Sequence, residues 1–378
     1  MNSNLAPTCK KLFGDYWVLW YAISNSYSVV SLEFEALLDI YLSANSYNAF
    51  SSATPIALNV TEKERIFKSL HNYLESCNQP YVLSDKDSIA LNTAFRNISK
   101  HYVFEDRSIQ IHYSSESVLK IIHPAIAYYC KSLNDTINVT FDVHLYNDQL
   151  CLYKNETLIT AVPKTDYHLV QGKFIMHLLC ELHDIEEQDW IGTLHGSTIT
   201  DGESSILFIG KSGKGKSTLC ALLAAHGFDL LADDVSPLHS NNRHLYYNPS
   251  SISLKEGAFN LLKPFVPHFD ELPIVEFNTT KGPLKYLPSC KPEKDHYPCQ
   301  AIVLVNYTPD SETILEDISV QLILETLIED SWLSPNPKHA EQFINWLHTL
   351  PLLQLTYSST PSVLSEIATL FKQFNCHK

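Results

Sequence analysis

The chain has 378 residues, of which 45% are hydrophobic, and its 27 basic and 42 acidic side chains give a net charge of −15. This predicts a globular protein with a substantial core and two domains, and it argues against nucleic acid or an anionic membrane as a partner. Residues 16–32, the longest uncharged run, are too polar to span a membrane. Nine scattered cysteines, an odd number, predict a cytoplasmic protein.

Residues 1–100 are predicted to form a small α+β domain. Two short, aromatic-rich strands are expected at residues 16–23 and 27–31, followed by an amphipathic helix at 32–42. A second helix is expected at residues 61–76, with Thr61 as its N-cap and Glu64 three residues further on.

Residues 101–378 are predicted to form the second domain. A meander is expected at residues 140–146, 150–154 and 157–162, with turns at Asn147-Asp148 and Asn155-Glu156, and a helix at 174–183 follows. We expect this meander and helix to form the edge of the sheet that precedes the strand carrying His195. Residues 236–300 show little periodicity and predict loops or a lid. The pattern of apolar residues after position 300 predicts strands at 301–306 and 352–356 and helices at 318–329, 338–347 and 362–374.

A glycine-rich turn between an apolar strand and a helix is the strongest motif. Gly210, Gly215, Lys216 and Ser217 match G-x-x-x-x-G-K-[ST], between a strand predicted at residues 205–209 and a helix predicted at 218–225. Such a turn directs backbone N–H groups at a phosphate near the positive end of the helix. The sequence therefore predicts a phosphate-binding loop. The loop residues assigned to the nucleotide are Gly210, Ser212, Gly213, Lys214, Gly215, Lys216, Ser217 and Thr218.

Two neighbouring signals extend the motif. Asp233 and Asp234 follow an apolar strand, a position where metal-holding acids occur beside a phosphate loop. His195 precedes the turn Asp201-Gly202, and a hairpin at that turn would bring it back towards the loop. By themselves, a lone histidine is more often structural and paired aspartates are often a turn or a helix cap.

Together these residues resemble the core of HPr kinase/phosphorylase and the related kinases of peptide natural-product clusters. The resemblance covers T-L-H-G at His195, the loop, and L-x-A-D-D ending at Asp234, and it continues weakly through S-L-K-x-G, which adds Lys255 as a nucleotide contact. It implies an α/β fold like that of phosphoenolpyruvate carboxykinase, with the phosphate loop on a mixed β-core. The chain lacks the Arg/Gly-rich segment of the bifunctional members after Asp234, so neither HPr as acceptor nor the reverse reaction is implied.

The resemblance also implies roles for these side chains. Lys216 would contact the β/γ-phosphates of ATP, Ser217 and Asp234 would hold Mg²⁺, and Asp233 would accept the proton of the acceptor hydroxyl. His195 would line the acceptor side. The residues by themselves leave open which aspartate is the base.

The sequence thus predicts an ATP-dependent kinase acting on a serine-type hydroxyl of a peptide or small protein. Two alternatives stay open, a small-molecule kinase of the same fold and a nucleotide-binding regulatory protein with little transfer activity. The strand-then-helix order of residues 1–100 resembles small, winged-helix-like, PqqD-like peptide-recognition domains; the alternative is a lobe that only packs on the kinase core. A homo-oligomer is also left open.

Overall fold

The structure, a computed structural model, describes residues 2–54, 58–80, 89–132, 136–276 and 282–375. It is a mixed α/β protein with several sheets. The N-terminal elements are β1 (Cys9–Phe13), β2 (Tyr16–Tyr21), β3 (Ser26–Ser31), α1 (Leu32–Ser43), α2 (Tyr47–Ala53) and α3 (Val60–Cys77). The two predicted strands and the first predicted helix are confirmed. The second helix begins one residue earlier than predicted, and its cap is Asn59, which forms a capping box with Glu62.

The three N-terminal strands form an antiparallel sheet with β2 in the middle, and both faces of β2 are buried. Leu19 and Tyr21 pack against the N-terminal helices, whereas Val18 and Trp20 enter a core shared with the largest, ten-stranded sheet, the central sheet. This alternation is the period of two that a strand imposes on its side chains. The N-terminal sheet therefore packs directly on the rest of the molecule, and the domain boundary at residue 100 stays a prediction.

A six-stranded sheet follows, in the order β6-β4-β5-β7-β8-β9. Its elements are β4 (Ile98–Phe104), β5 (Arg107–Tyr113), α4 (Glu116–Ile126), β6 (Cys130–Lys131), β7 (Val139–Tyr146), β8 (Gln149–Lys154), β9 (Thr157–Pro163) and α5 (Tyr167–His183). The meander and both of its turns are confirmed, with positive φ at all four turn residues. The expectation that it continues the later sheet is wrong, since the two sheets share no strand pairing among the described residues.

The largest sheet has ten strands and contains the sequence motifs. Its strands are β10 (Trp190–His195), β11 (Ser197–Thr200), β12 (Ser205–Ile209), β13 (Asp229–Ala232), β14 (Val235–His239), β15 (His244–Tyr246), β19 (His296–Tyr307), β20 (Ile314–Asp317), β21 (Trp332–Leu333) and β22 (Leu352–Tyr357). Its helices are α6 (Lys216–Ala225), α8 (Val320–Leu327), α9 (Pro337–His348) and α10 (Thr360–Asn375). The strands and helices predicted after residue 300 are confirmed.

Residues 236–300 hold more regular structure than their pattern predicts. Besides β14 and β15, they form a three-stranded sheet from β16 (Ile252–Lys255), β17 (Val275–Glu276) and β18 (Pro283–Leu287), with the short helix α7 (Phe259–Leu262). The expectation of loops or a lid is therefore wrong for the residues in these strands and in α7.

The strand before the glycine-rich turn, β12, is buried on both faces. Ile206 and Phe208 enter the core formed with α6 and α10, and Leu207 and Ile209 enter the core formed with α8 and α9. A strand that is covered on both faces has a nearly continuous run of apolar residues, as β12 does. The loop that follows it therefore extends from a buried strand in the interior of the sheet. None of the helices in the described ranges is both long and apolar enough to cross a membrane.

Candidate active site

The predicted strand and helix of the motif are both present, as β12 and α6. Gly215 is the N-cap of α6 with φ 95°, and an added Cβ would lie 3.0 Å from the hydroxyl oxygen of Tyr357. Only glycine fits this position without strain, because both the backbone angle and the space exclude a side chain. Gly213 lies in the turn itself, and Ser217 and Thr218 lie in the first turn of α6. Phosphate binding by this turn stays a prediction.

Lys216 is buried at the start of α6, with 8% of the residue exposed. Its Nζ donates a hydrogen bond to the carbonyl oxygen of Gly210, so the side chain folds back across the mouth of the turn. Burial lowers the pKa of Lys216, and the charges of Asp234 and Asp233 act in the opposite direction. A cation held in partial desolvation at the N-terminus of a helix suits an anionic ligand.

Asp233 lies at the corner between β13 and β14 and is 2% exposed. Its Oδ1 accepts hydrogen bonds from the hydroxyls of Ser217 at 3.0 Å and Ser197 at 2.6 Å, and its Oδ2 accepts one from the backbone N–H of Ser253 at 3.0 Å. Burial first, and then the charge of Asp234, raises the pKa of this carboxyl, while the three hydrogen bonds oppose that rise. Asp233 is therefore the aspartate that contacts the glycine-rich motif, through Ser217.

Asp234 points the other way. Its backbone has φ 66°, and the N–H of Val235 donates to the carbonyl oxygen of Asp233 at 2.8 Å, which closes a tight turn around it. The side chain is 69% exposed, and its Oδ1 lies 3.5 Å from Nδ1 of His195. The backbone N–H of His195 donates to the hydroxyl of Ser331 at 2.8 Å. The structure thus joins His195 to Asp234 on the accessible side of the site.

Gly196 allows the chain to bend between β10 and β11. It separates β10 from β11 opposite the Asp233-Asp234 corner, and its N–H donates to the carbonyl oxygen of Asp234 at 3.3 Å. An added Cβ would lie 2.7 Å from the carbonyl oxygen of Phe208 and 2.9 Å from Cδ1 of Leu207. The strand carrying His195 can lie this close to β12 only because residue 196 has no side chain.

The lysines around the loop have different surroundings. Lys255, at the end of β16, donates to the hydroxyl of Ser212 at 2.9 Å, so it lies at the loop, and its contact with a nucleotide stays a prediction. Lys214 reaches the amide oxygen of Asn306 at 3.4 Å. Lys285 is buried and donates to the carbonyl oxygen of Phe269 at 2.8 Å. Lys285 is therefore held inside the structure, whereas Lys255 lies against the loop.

Sequence reasoning missed the serines that complete the site. Ser197 and Ser253 hold Asp233, and Ser331 holds the backbone of His195. Ser197 stands two residues after His195, so strand alternation near the motif was the one signal that pointed to it. Ser253 and Ser331 come from distant segments and carry no local signal.

The site fits a nucleotide-bound Mg²⁺ ion. Among the described residues, no group of three or more His, Cys, Asp or Glu side chains is arranged to hold a metal ion by itself. Mg²⁺ beside phosphates needs only one or two carboxylates. The buried Asp233, with its raised pKa and its hydrogen bond from Ser217, is a carboxylate whose ionised form a nearby cation would stabilise.

A cavity of about 870 Å³ lies elsewhere, over the polar face of the six-stranded sheet. It is lined by residues such as His101, Gln110 and His112, and none of the predicted site residues borders it. The candidate active site is thus defined by the positions of its side chains near the carboxyl end of β12, an interior strand of the central sheet.

Comparison with known proteins gives little further information. No protein-family model matches the chain, and no curated protein matches it. Among solved structures, the Hpr(Ser) kinase/phosphatase from Coxiella burnetii aligns over 49% of this chain and 99% of that chain, with 13% sequence identity and a TM-score of 0.23. A TM-score this low supports no inference about fold or activity.

Proposed function

We propose that the protein is an ATP-dependent phosphotransferase that moves the γ-phosphate to a serine-type hydroxyl of a peptide or small protein. The observation that carries this proposal is the hydrogen bond between Ser217 and Asp233. It joins the phosphate loop to the aspartate corner, and on the other side of that corner Asp234 and His195 lie together and accessible. A regulatory nucleotide-binding protein would need the loop but would not need Asp234 and His195 together on the accessible side.

Nucleotide binding would rest on the turn and two cations. The backbone N–H groups of the turn and Lys216 would bind the phosphates, with Lys255 reaching over Ser212. Ser217 and Asp233 would hold Mg²⁺. Bound ATP would supply the phosphoryl group, with Mg²⁺ neutralising its charge, so that the protein's task is positioning and electrostatic stabilisation.

We assign the two aspartates in the reverse of the order that the family resemblance implies. A general base must be within reach of the acceptor hydroxyl. Asp233 is buried and its oxygens already accept three hydrogen bonds, whereas the Asp234 side chain is 69% exposed beside His195. Asp234 would therefore accept the proton, with His195 orienting it. Asp233 would instead hold the metal with Ser217.

The N-terminal sheet would bind the acceptor. Because β2 is paired on both sides, its neighbours β1 and β3 are the edges, and within the described residues no strand pairs with the outer edge of β3. An extended peptide can add to such an edge through main-chain hydrogen bonds. The net charge of −15 would suit a neutral or cationic acceptor. A cytoplasmic location is part of the same proposal, and a homo-oligomer stays open.

The test is transfer of radiolabelled γ-phosphate to a panel of serine-containing peptides. Lys216→Ala should weaken Mg-ATP binding by roughly 10- to 100-fold, the size of a charge-assisted hydrogen bond, and should abolish transfer. Lys372→Ala, which changes an exposed lysine on α10, serves as the control. Unchanged ATP affinity in Lys216→Ala, measured by calorimetry, would show that the loop assignment is wrong. ATP binding without transfer to any peptide would favour the small-molecule or regulatory alternatives.

A further inference from the structure

The phosphate loop has two different flanks. Its strand β12 lies between β11 and β19 in the sheet. On the β11 side, β13 leads to Asp233 and Asp234. On the β19 side, β12, β19 and β22 run parallel, so their carboxyl ends meet at the edge that carries the loop. The function proposed above uses only the first flank.

The positions of the aspartates set the direction of a bound nucleotide. The phosphate that is transferred must lie at Asp233 and Asp234, since these residues are assigned to the metal and to the acceptor hydroxyl. The nucleoside is at the opposite end of the triphosphate chain. It therefore leaves the loop on the β19 side, where ligands of open α/β sheets meet the carboxyl ends of parallel strands.

Tyr307, the last residue of β19, stands at this flank. Its backbone N–H donates to the carbonyl oxygen of Lys214 at 3.2 Å, and its Cβ lies 3.2 Å from the position of a Cβ at Gly215. Its ring meets the buried ring of Tyr357 edge to face, with centroids 5.5 Å apart. These contacts hold Tyr307 against the loop, although 41% of the residue is exposed.

Exposure alone would not distinguish Tyr307, because Tyr146 is exposed to a similar extent on the six-stranded sheet. Tyr307 differs in combining an accessible aromatic side chain with a backbone N–H that donates to the loop, on the flank where the nucleoside must leave. We propose that Tyr307 forms the subsite for the nucleotide base, with the base stacked on its ring. This inference rests on the proposed nucleotide binding.

The chemistry of stacking gives a second consequence. Every base has a π-face, so stacking on an aromatic ring contributes affinity with little choice between bases. Tyr307 would therefore strengthen ATP and GTP binding by the same factor. Any preference between the two would have to come from other groups.

The experiment compares ATP, GTP and inorganic tripolyphosphate, each with Mg²⁺, by calorimetry. Tyr307→Ala should bind ATP and GTP about tenfold more weakly, the order of one lost stacking contact, and tripolyphosphate with unchanged affinity. Tyr307→Phe should keep the affinity of the unaltered protein, because it keeps the ring. Tyr146→Ala is the matched control and should change nothing.

Two results would overturn the subsite. One is unchanged ATP affinity in Tyr307→Ala. The other is an equal loss for tripolyphosphate, which would show that Tyr307 only supports the loop. If the unaltered protein binds tripolyphosphate and Tyr307→Ala gives either of these two results, the phosphate-binding assignment of the loop holds and the base subsite at Tyr307 is wrong. If the unaltered protein binds neither ATP nor tripolyphosphate, the proposed function itself is wrong.

Discussion

The paired variants Asp233→Asn and Asp234→Asn separate the two roles proposed for the aspartates. Asp233 accepts hydrogen bonds from two serine hydroxyls and one backbone N–H. The hydroxyls can rotate and accept from an amide, but the N–H of Ser253 can only donate. The amide oxygen of Asp233→Asn should therefore face Ser253, and its NH₂ group should face Ser197 and Ser217.

The stability of Asp233→Asn follows from two opposing effects. Each hydrogen bond to the charged carboxylate contributes about 1.5–3 kcal/mol, and a bond to a neutral amide contributes about 1 kcal/mol. Against this loss, the raised pKa of Asp233 means that its ionised form destabilises the folded state at neutral pH, by about 1.4 kcal/mol for each pKa unit. Because an amide removes that cost, we expect the free energy of unfolding to fall by less than the roughly 1.5–6 kcal/mol that the three weaker hydrogen bonds alone would cost.

Function should change far more than stability. Asp233→Asn should lower the apparent Mg²⁺ affinity of nucleotide binding by at least roughly 10- to 100-fold, since that is the loss when only a partner of a metal ligand is removed. Asp234→Asn should bind Mg-ATP normally but transfer phosphate roughly 10²- to 10⁴-fold more slowly, the size of a general-base contribution. The assays are nucleotide binding over a series of Mg²⁺ concentrations and single-turnover transfer. Asp229→Asn, an exposed change at the start of β13, is the control.

The reverse pattern would refute this reasoning. If Asp234→Asn raised the Mg²⁺ requirement and Asp233→Asn lost only transfer, the assignment implied by the family resemblance would hold. If neither variant changed binding or transfer, the aspartate corner would not belong to the active site.

Two further predictions test the bend and the acceptor edge. Gly196→Ala should lower the free energy of unfolding by about 1–3 kcal/mol in a denaturant titration, because its Cβ would meet the carbonyl oxygen of Phe208. Gly172→Ala, on α5 with nothing within 4 Å of the added Cβ, should instead leave stability unchanged or raise it. Ser28→Pro and Val29→Pro test the edge of β3, because the N–H groups of these neighbours face opposite sides of the strand. The variant whose lost N–H faced the free edge should raise the acceptor KM and leave the KM for ATP unchanged. A folded variant at each position with normal acceptor KM would exclude strand addition at β3.

Point variants suit the acceptor question better than a truncation of residues 1–100. Val18 and Trp20 of β2 are fully buried in the core shared with α8 and α9. The side chain of Lys11 also reaches Asn345 on α9. Removing the N-terminal sheet would expose this apolar surface, so a loss of activity could simply reflect unfolding.

The sequence by itself determined the local elements of this protein. The turn at Gly210–Gly215, the strand before it and the helix after it follow from consecutive residues, because glycine permits positive φ and the apolar run forms a buried strand. The turns at Asn147-Asp148 and Asn155-Glu156 follow in the same way from residues that tolerate the left-handed region. The misplaced cap of α3 shows the limit, since asparagine and threonine both cap helices and Asn59 lies only two residues before Thr61.

The tertiary structure alone decided how the site is assembled. Asp233 and Asp234 are adjacent carboxylates in the sequence, yet a positive φ at Asp234 sends one towards Ser217 and the other towards His195. The partners that hold them, Ser253 and Ser331, come from segments far along the chain. The separation of the six-stranded sheet from the central one is likewise a result of long-range pairing. Backbone preferences act between neighbouring residues and can therefore be predicted from the sequence. The pairing of distant segments depends on how the whole core packs.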